Sequence, residues 1–222
     1  TNWNGIIGKI ELLSTPKIWI QALQLYPDFA KENIRLSVSL GNGTGKRGKG
    51  KIDLSMDPDG SRIEDLEFVF GASDTVLELY LPFGDNPRFW DEFNPELYTL
   101  TPTLNTGEGS HQRSIQTGLR DFKAVGQHFV LNGRKVYLRG KVCSAIFPLT
   151  GYPPMDVKRW REMFQIYKDY GLNHLRCHSW CPPEAAFRVA DEMGIMLHVE
   201  PPLWDGYGLV GSIPERAAFI LK

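Results

Sequence analysis

The sequence predicts a β-sandwich followed by a partial (β/α)8 TIM barrel of about three β/α units. Two observations lead to this prediction. Short apolar runs with turn signals between them fill roughly the first 120 residues, where no convincing helical periodicity occurs, and this pattern is typical of a sandwich. After residue 122, strands alternate with amphipathic helices through short connections, which favours a parallel sheet.

Length and composition are those of a globular protein. The chain has 222 residues, of which 42% are hydrophobic, enough for one large or two ordinary domains. Its net charge of −1 favours neither nucleic acid nor an anionic membrane surface as a partner. No apolar run approaches the ~20 residues of a membrane helix, so we expect no membrane partner. Three cysteines do not suggest a disulfide framework.

The predicted sandwich is built from strands of alternating character. In Asn33–Leu40, apolar and polar residues alternate, as they do in a half-buried strand. The residues Asp57–Gly60 carry Pro and Gly at positions that indicate a turn. Further strands are predicted at Gly5–Leu13, Lys17–Leu23, Lys51–Met56, Ile63–Phe70 and Thr75–Leu81, and Trp90–Leu104 ends the series with Tyr98 and Leu100 on one face.

The β/α part begins with a hairpin signal, Asn132-Gly133 after the strand His128–Leu131. A strand is then predicted at Lys135–Val142. Asp156 is a candidate cap for a helix that ends at Gly171, and Pro182-Pro183-Glu184 opens a second helix that ends at Gly194. The apolar stripe of the first helix is Val157, Trp160, Phe164 and Tyr167, and the remaining predicted strands are Asn173–His178 and Ile195–Glu200.

Each predicted parallel strand has one apolar and one polar face. His174, Arg176 and His178 alternate with Leu175 and Cys177. In the first strand, Arg139 and Lys141 lie on the face opposite to Leu138 and Val142. In the third strand, Met196, His198 and Glu200 lie on the face opposite to Ile195, Leu197 and Val199. An open sheet covered by helices on both sides would need two apolar faces, so this division favours a barrel with a polar lumen.

Polar and aromatic side chains stand at the predicted strand ends, where barrels build their sites. These are Arg176, His178, Trp180 and Glu200. Arg and Glu bind hydroxyls and Trp stacks on a pyranose, so they favour a sugar subsite. The alternative is a buried ion pair between Arg176 and Glu200 with Trp180 as a packing lid.

Trp204 and Asp205 follow the third predicted strand through Pro201-Pro202. A loop aromatic beside a carboxylate fits the wall of a sugar subsite. The alternative for this pair is an anchor for the loop.

Metal and phosphate sites are disfavoured, and no cofactor is expected. The spacing of His174, Cys177, His178 and Cys181 is not a standard zinc pattern, and alternation directs Cys177 away from both histidines. Gly41–Arg47 is similar to a phosphate-binding loop only superficially, because a Ser or Thr is missing and strands flank it.

Several stretches resemble glycoside hydrolase family 2, the β-galactosidases, β-glucuronidases and β-mannosidases. Asn2–Leu13 resembles the end of the family's N-terminal sugar-binding jelly roll. Trp90–Leu100 with Thr117–Phe122 resembles the last strands of its immunoglobulin-like domain. Phe129–Gly140 resembles the entry into the catalytic barrel, and Leu172–Pro201 its second and third strands. Where the family commonly has His-Tyr-Pro, this chain has His178-Ser179-Trp180.

The resemblance implies three domains: the jelly-roll tail over residues 1–21, an immunoglobulin-like sandwich over 22–122, and the start of the barrel over 123–222. It also implies a retaining hydrolase of O-glycosidic bonds in carbohydrate catabolism, with a carbohydrate substrate and two catalytic carboxyl groups about 5–5.5 Å apart. In the family, the acid/base Glu follows Asn after the fourth strand and the nucleophile lies at the seventh. Both are therefore expected beyond Lys222, with a sugar-binding role for Glu200.

Two further expectations complete this interpretation. The alternative function is a non-catalytic carbohydrate-binding or adhesive module with the sandwich as its working part. Three parallel strands without the rest of a barrel leave unpaired edges, so we expect self-association or a loosely ordered C-terminal region. By family analogy alone, the location would be extracytoplasmic.

Overall fold

The structure, a computed structural model, describes residues 6–201. The chain divides into two compact units. One is Ile10–Tyr137, and the other comprises Leu138 onwards together with the residues up to Lys9. No helix in the described residues has the length and apolar character that crossing a membrane requires.

The first unit is a sandwich of two antiparallel sheets. One sheet has the strand order β1-β2-β5 and the other β4-β3-β6-β7, with β8 also paired to β6. The strands are β1 Ile18–Asp28, β2 Asn33–Asn42, β3 Gly48–Asp57, β4 Arg62–Phe70, β5 Thr75–Pro82, β6 Tyr98–Thr106, β7 Gly109–Gln112 and β8 Ile115–Thr117. Buried side chains from both sheets form one hydrophobic core.

Alternation in the sequence determines which side chains enter this core. Ile34, Leu36, Val38 and Leu40 of β2 are at most 1% exposed, as predicted for a half-buried strand. Tyr98 and Leu100 of β6 are likewise buried on one face. The predicted turn at Asp57–Gly60 is confirmed by the Gly60 N–H, which donates to the Met56 carbonyl at 3.0 Å.

The predicted strand at Gly5–Leu13 is wrong over its described residues, which form no strand. Ile10, Leu12 and Leu13 are highly exposed, so no sheet covers their apolar side chains. The prediction at Lys17–Leu23 captures the first part of the longer strand β1.

A three-stranded antiparallel sheet follows, formed by β9 Phe122–Val125, β10 His128–Leu131 and β11 Arg134–Val136. The hairpin predicted at Asn132-Gly133 is confirmed, because both residues have positive φ, 51° and 78°, as a type I′ turn requires. The predicted strand Lys135–Val142 is wrong as one element. It is divided between β11 and β12, which belong to different units.

The second unit contains a parallel sheet in the order β12-β13-β14, with a helix in each connection. Its elements are β12 Gly140–Cys143, α1 Val157–Asp169, β13 His174–Cys177, α2 Glu184–Met193 and β14 Met196–Val199. Apolar residues of both helices pack against Leu175 and Cys177 in one core. The domain boundaries expected at residues 22 and 123 stay predictions.

The helix ends follow the predicted signals. Asp156 caps α1 by accepting a hydrogen bond from the Arg159 N–H at 2.9 Å. Gly171 and Gly194, which end the two helices, adopt φ of 70° and 71°, values that favour glycine. Pro183 stands at the N-cap of α2 without a side-chain hydrogen bond.

The prediction that Val142 lies on the apolar face of β12 is wrong, because the alternation is shifted by one residue. Parallel pairing aligns Val142 with Arg176 and Cys143 with Cys177, so Val142 lies on the polar face, where it is 49% exposed. Cys143 packs against the core in its place. The alternation predicted for β13 is confirmed, since Leu175 and Cys177 are fully buried.

A candidate sugar site at the strand ends

Two neighbouring parallel strands bring the candidate residues together at their carboxyl ends. Arg176 is the third residue of β13, and Glu200 directly follows β14. The Glu200 N–H donates to the Cys177 carbonyl at 3.2 Å, and the His178 N–H donates to the Cys143 carbonyl at 2.9 Å. These bonds extend the pairing by one residue and place Glu200 beside the turn after β13.

Glu200 is held at both of its carboxylate oxygens. Oε1 accepts from Nε of Arg176 at 2.6 Å, and Nη2 of the same guanidinium is also 2.6 Å away. Oε2 accepts from the backbone N–H of Ser179 at 2.8 Å. The side chains of Arg176 and Glu200 are 41% and 21% exposed, so this pair lies at the surface of the unit rather than in its core.

The backbone of Ser179 directs its N–H at Glu200. Ser179 has a φ of 57°, a left-handed conformation that is uncommon for residues other than glycine. The turn that follows β13 is therefore shaped to present one N–H donor to the carboxylate. We call Arg176, Ser179 and Glu200 the carboxylate clamp.

The clamp keeps Glu200 ionised at neutral pH. The hydrogen bond from the Ser179 N–H, and then the Arg176 guanidinium, hold the pKa of Glu200 below its ordinary value, because both favour the charged form. Such a carboxylate accepts hydrogen bonds and is unsuited to donate a proton to a leaving group.

Trp180 lies against the core of the same unit. It is 8% exposed, its indole N–H donates to the Cys143 carbonyl at 2.8 Å, and its ring meets Phe147 edge to face with centroids 6.1 Å apart. Trp180 is therefore packed against the core, as in the alternative interpretation in which it acts as a packing lid. The pairing of Arg176 with Glu200 is also present, in a partly exposed position. The sugar contacts expected of both residues and of Trp180 stay predictions.

The other candidate residues are less closely tied to the clamp. His178 precedes Ser179 and is half-buried, and its predicted contact with a sugar stays a prediction. Trp204 and Asp205 lie outside the described residues.

The polar face beside the clamp carries two further histidines. The rings of His174 and His198 are 6.2 Å apart. Burial, and secondly the charge of His198, lower the pKa of His174, so this imidazole is neutral at pH 7. A neutral imidazole beside an arginine offers hydrogen-bonding groups suited to hydroxyls.

Within residues 6–201, no three His, Cys, Asp or Glu side chains are grouped closely enough to hold a metal ion. Burial raises the pKa of the Cys177 thiol to about 12. The thiolate that metals bind is therefore strongly disfavoured at this position.

Sequence patterns did not predict two backbone groups of this site, the Ser179 N–H and the Cys143 carbonyl. Alternation assigns side chains to faces but carries no information on a single left-handed residue.

The comparisons with known proteins point to one family. The family model described as glycosyl hydrolases family 2 matches residues 18–120. A putative β-glucuronidase of Formosa agariphila is 26% identical over 93% of this chain and 25% of its own length. A β-galactosidase of Thermoanaerobacterium thermosulfurigenes is 24% identical over 93% of this chain and 30% of its own length.

A solved structure of a glycosyl hydrolase family 2 member from Bacteroides cellulosilyticus matches the fold, with a TM-score of 0.78 and 17% identity. The match covers 92% of this chain and 28% of that chain. The present chain thus spans between a quarter and a third of the length of these three proteins.

Proposed function

We propose that this chain belongs to glycosyl hydrolases family 2, whose model matches residues 18–120, and that the protein containing it is a retaining glycosidase that hydrolyses β-galactoside-like or β-glucuronide-like O-glycosidic bonds. The sandwich would be the family's immunoglobulin-like domain, and the parallel β/α unit the beginning of its catalytic barrel. The carboxylate clamp is the observation that carries the proposal. It is a fixed, ionised hydrogen-bond acceptor at the carboxyl ends of parallel strands, where barrels place their sites.

In this proposal, Glu200 positions the substrate and does not attack it. A carboxylate paired with a guanidinium is a weaker nucleophile, because the charge that would attack the anomeric carbon is already compensated. Both oxygens of Glu200 already accept hydrogen bonds, from Arg176 and Ser179. The two catalytic carboxyl groups would lie outside residues 6–201, and a sugar hydroxyl would donate to the remaining lone pairs of Glu200.

Steady-state kinetics of the protein that contains this chain test the assignment. The substrates are p-nitrophenyl β-galactoside and p-nitrophenyl β-glucuronide. Glu200→Gln should raise KM and lower kcat/KM by about tenfold to a hundredfold, the usual effect of losing a charged hydrogen bond. Turnover should remain measurable.

Arg188→Gln is the control, because Arg188 pairs with Glu192 on the exposed side of α2 and lies away from the clamp. Complete loss of turnover in Glu200→Gln, with normal folding, would show that Glu200 performs the chemistry. Absence of turnover on every aryl glycoside by the wild-type protein would refute the glycosidase assignment itself.

A further inference from the structure

The strand β1 has a β-bulge at which two of its backbone groups bond to side chains at β7. The register between β1 and β2 shifts between Ile20 and Ala22, so Gln21 has no paired residue in β2. A bulge interrupts the ladder of hydrogen bonds, and a backbone N–H or C=O group that is buried without a partner destabilises a fold. The bulge therefore depends on the side chains that bond to it.

His111 and Arg113 supply these two bonds. The Ile20 N–H donates to Nδ1 of His111, in β7, at 3.1 Å. Nη1 of Arg113, which follows β7, donates to the Gln21 carbonyl at 2.6 Å. β1 and β7 each lie at the end of the strand order of their sheet, so the two bonds join the edges of the two sheets. We call Ile20, Gln21, His111 and Arg113 the sheet seam.

The bond from Ile20 requires a neutral imidazole. A ring nitrogen of histidine accepts a hydrogen bond only when it carries no proton, and both ring nitrogens are donors in the protonated form. Because Nδ1 of His111 accepts from the Ile20 N–H, the single proton of this ring is on Nε2. A second proton would place two N–H donors against each other, and the bond would be lost.

The surroundings of His111 also oppose its protonation. Burial, and secondly the charge of Arg113, lower the pKa of His111. The strands that pack against β7 are β1 and β6, and their one charged residue is Asp28, at the far end of β1. The pair Lys17 and Glu108, with Nζ and Oε2 3.8 Å apart, lies beside the ends of β1 and β7, so the nearest carboxylate already faces a cation.

We propose that His111 is an acid-sensitive latch of the sandwich, whose protonation releases the Ile20 N–H and opens the sheet seam locally in mildly acidic solution. The sign follows from linkage. A histidine whose pKa the fold lowers stabilises the fold above its unfolded-state pKa, and this contribution is lost as pH falls through the folded-state pKa. The opening is confined to the first half of β1, because the hydrogen bonds between the other strands do not involve an imidazole. The latch is independent of whether the protein is a glycosidase.

Hydrogen–deuterium exchange of the protein that contains this chain tests the proposal, because exchange reports local opening. Peptides are compared at about pH 7.5 and about pH 5, between which histidine titrates, after correction for the intrinsic effect of pH on exchange. Protection of residues 18–22 should fall by about fivefold to tenfold at the lower pH, the effect of losing one hydrogen bond. Protection of β3, at Gly48–Asp57, should stay constant.

Three variants separate the latch from other effects of pH. His111→Asn keeps an acceptor, the amide oxygen, which does not titrate, so residues 18–22 should stay protected at both pH values. His111→Leu removes the acceptor, so their protection should be low at both. His128→Asn removes an exposed histidine of β10, so this variant should show the same pH response as the wild type.

The proposal is overturned if residues 18–22 of the wild-type protein are equally protected at both pH values, or if His111→Asn keeps the pH response of the wild type. An equal loss of protection in every strand of the sandwich would also overturn it, because the opening would then be global. NMR of ¹³C-labelled histidine gives a readout that needs no variant. The His111 ring should titrate over the pH range in which the protection is lost, and a ring that stays neutral throughout that range would refute the latch.

Discussion

At the scale of single residues, the candidate site depends on how a carboxylate is held. Glu200 is fixed by one charged side chain and one backbone N–H, and both donors come from β13 and the turn after it. Neighbouring parallel strands keep these groups in register, so the clamp needs no long-range loop. This rigidity is what a substrate-positioning group requires.

The clamp predicts how Glu200 titrates. Its folded-state pKa lies below the ordinary value of a glutamate carboxyl group. Arg176→Gln removes one of the two hydrogen bonds that lower this pKa, and the charge of the guanidinium with it, so we expect the pKa of Glu200 to rise. Carbon-detected NMR titration of the glutamate carboxyls measures it.

The sign of the stability effect follows from the lowered pKa. The clamp stabilises the fold above the unfolded-state pKa of Glu200, and its contribution is lost as pH falls through the folded-state pKa. Wild type should therefore exceed Arg176→Gln in stability at pH 7, and the two should converge in acid. Arg159→Gln, which breaks an exposed pair with Glu162, should leave Glu200 unshifted. An unchanged Glu200 pKa in Arg176→Gln would contradict the clamp.

Gly118 lies so close to Trp90 that an added methyl group should lower the stability of the first unit. A Cβ on Gly118 would lie 2.6 Å from the Cβ of Trp90, whose side chain is 2% exposed. Gly118→Ala should lower the free energy of unfolding by about 1–3 kcal/mol, as overpacking does. Urea denaturation measures it, with Gly107→Ala as control, because no heavy atom lies within 4 Å of a Cβ there. Equal stability of the two variants would argue against this packing.

At the scale of elements, α1 begins at a single capping contact. Asp156→Ala removes the acceptor of the Arg159 N–H, and should destabilise the second unit by about 1 kcal/mol. Asp156→Ser restores an acceptor and should recover most of the loss. Chemical denaturation followed by far-UV circular dichroism compares the variants. An equal loss of stability in Asp156→Ala and Asp156→Ser would mean that the hydrogen bond of the side-chain cap contributes nothing.

Sequence patterns predicted most elements because the cues are local. Alternation located β2 and β13, and cap and glycine signals located both helices. The prediction failed at β12, because the residues 134–143 are apolar enough for one strand but are divided between two units. Which face Val142 takes depends on its register with Arg176, a tertiary fact that no local pattern contains.

The same limit applies to the candidate site. Arg176 and Glu200 were found because strand ends carry sites in parallel β/α folds. Their pairing was anticipated as an alternative to a sugar subsite, whereas the Ser179 N–H depends on a left-handed residue that the sequence does not reveal. The buried position of Trp180 follows from the packing of Phe147 in the loop after β12.

At the scale of the whole molecule, edge strands predict association of the chain expressed alone. Within residues 6–201, β12 and β14 each pair on one side only, and unpaired strand edges recruit other chains. We expect the sedimentation coefficient to rise with concentration. Val142→Lys places a charge on β12 and should reduce this rise, whereas Leu149→Lys, at a residue that is 99% exposed, should not. A monomer at all concentrations would contradict the expectation.

Trapping the glycosyl-enzyme intermediate tests the central claim most directly. Retaining glycosidases form a covalent bond to their nucleophile, so the protein that contains this chain should be labelled by 2-deoxy-2-fluoro-β-glycosides of galactose or glucuronic acid. Peptide mapping by mass spectrometry should locate the label on a glutamate outside residues 6–201, and Glu200→Gln should still be labelled. A label on Glu200 would contradict the positioning role assigned to it, and absence of any label would contradict a retaining mechanism.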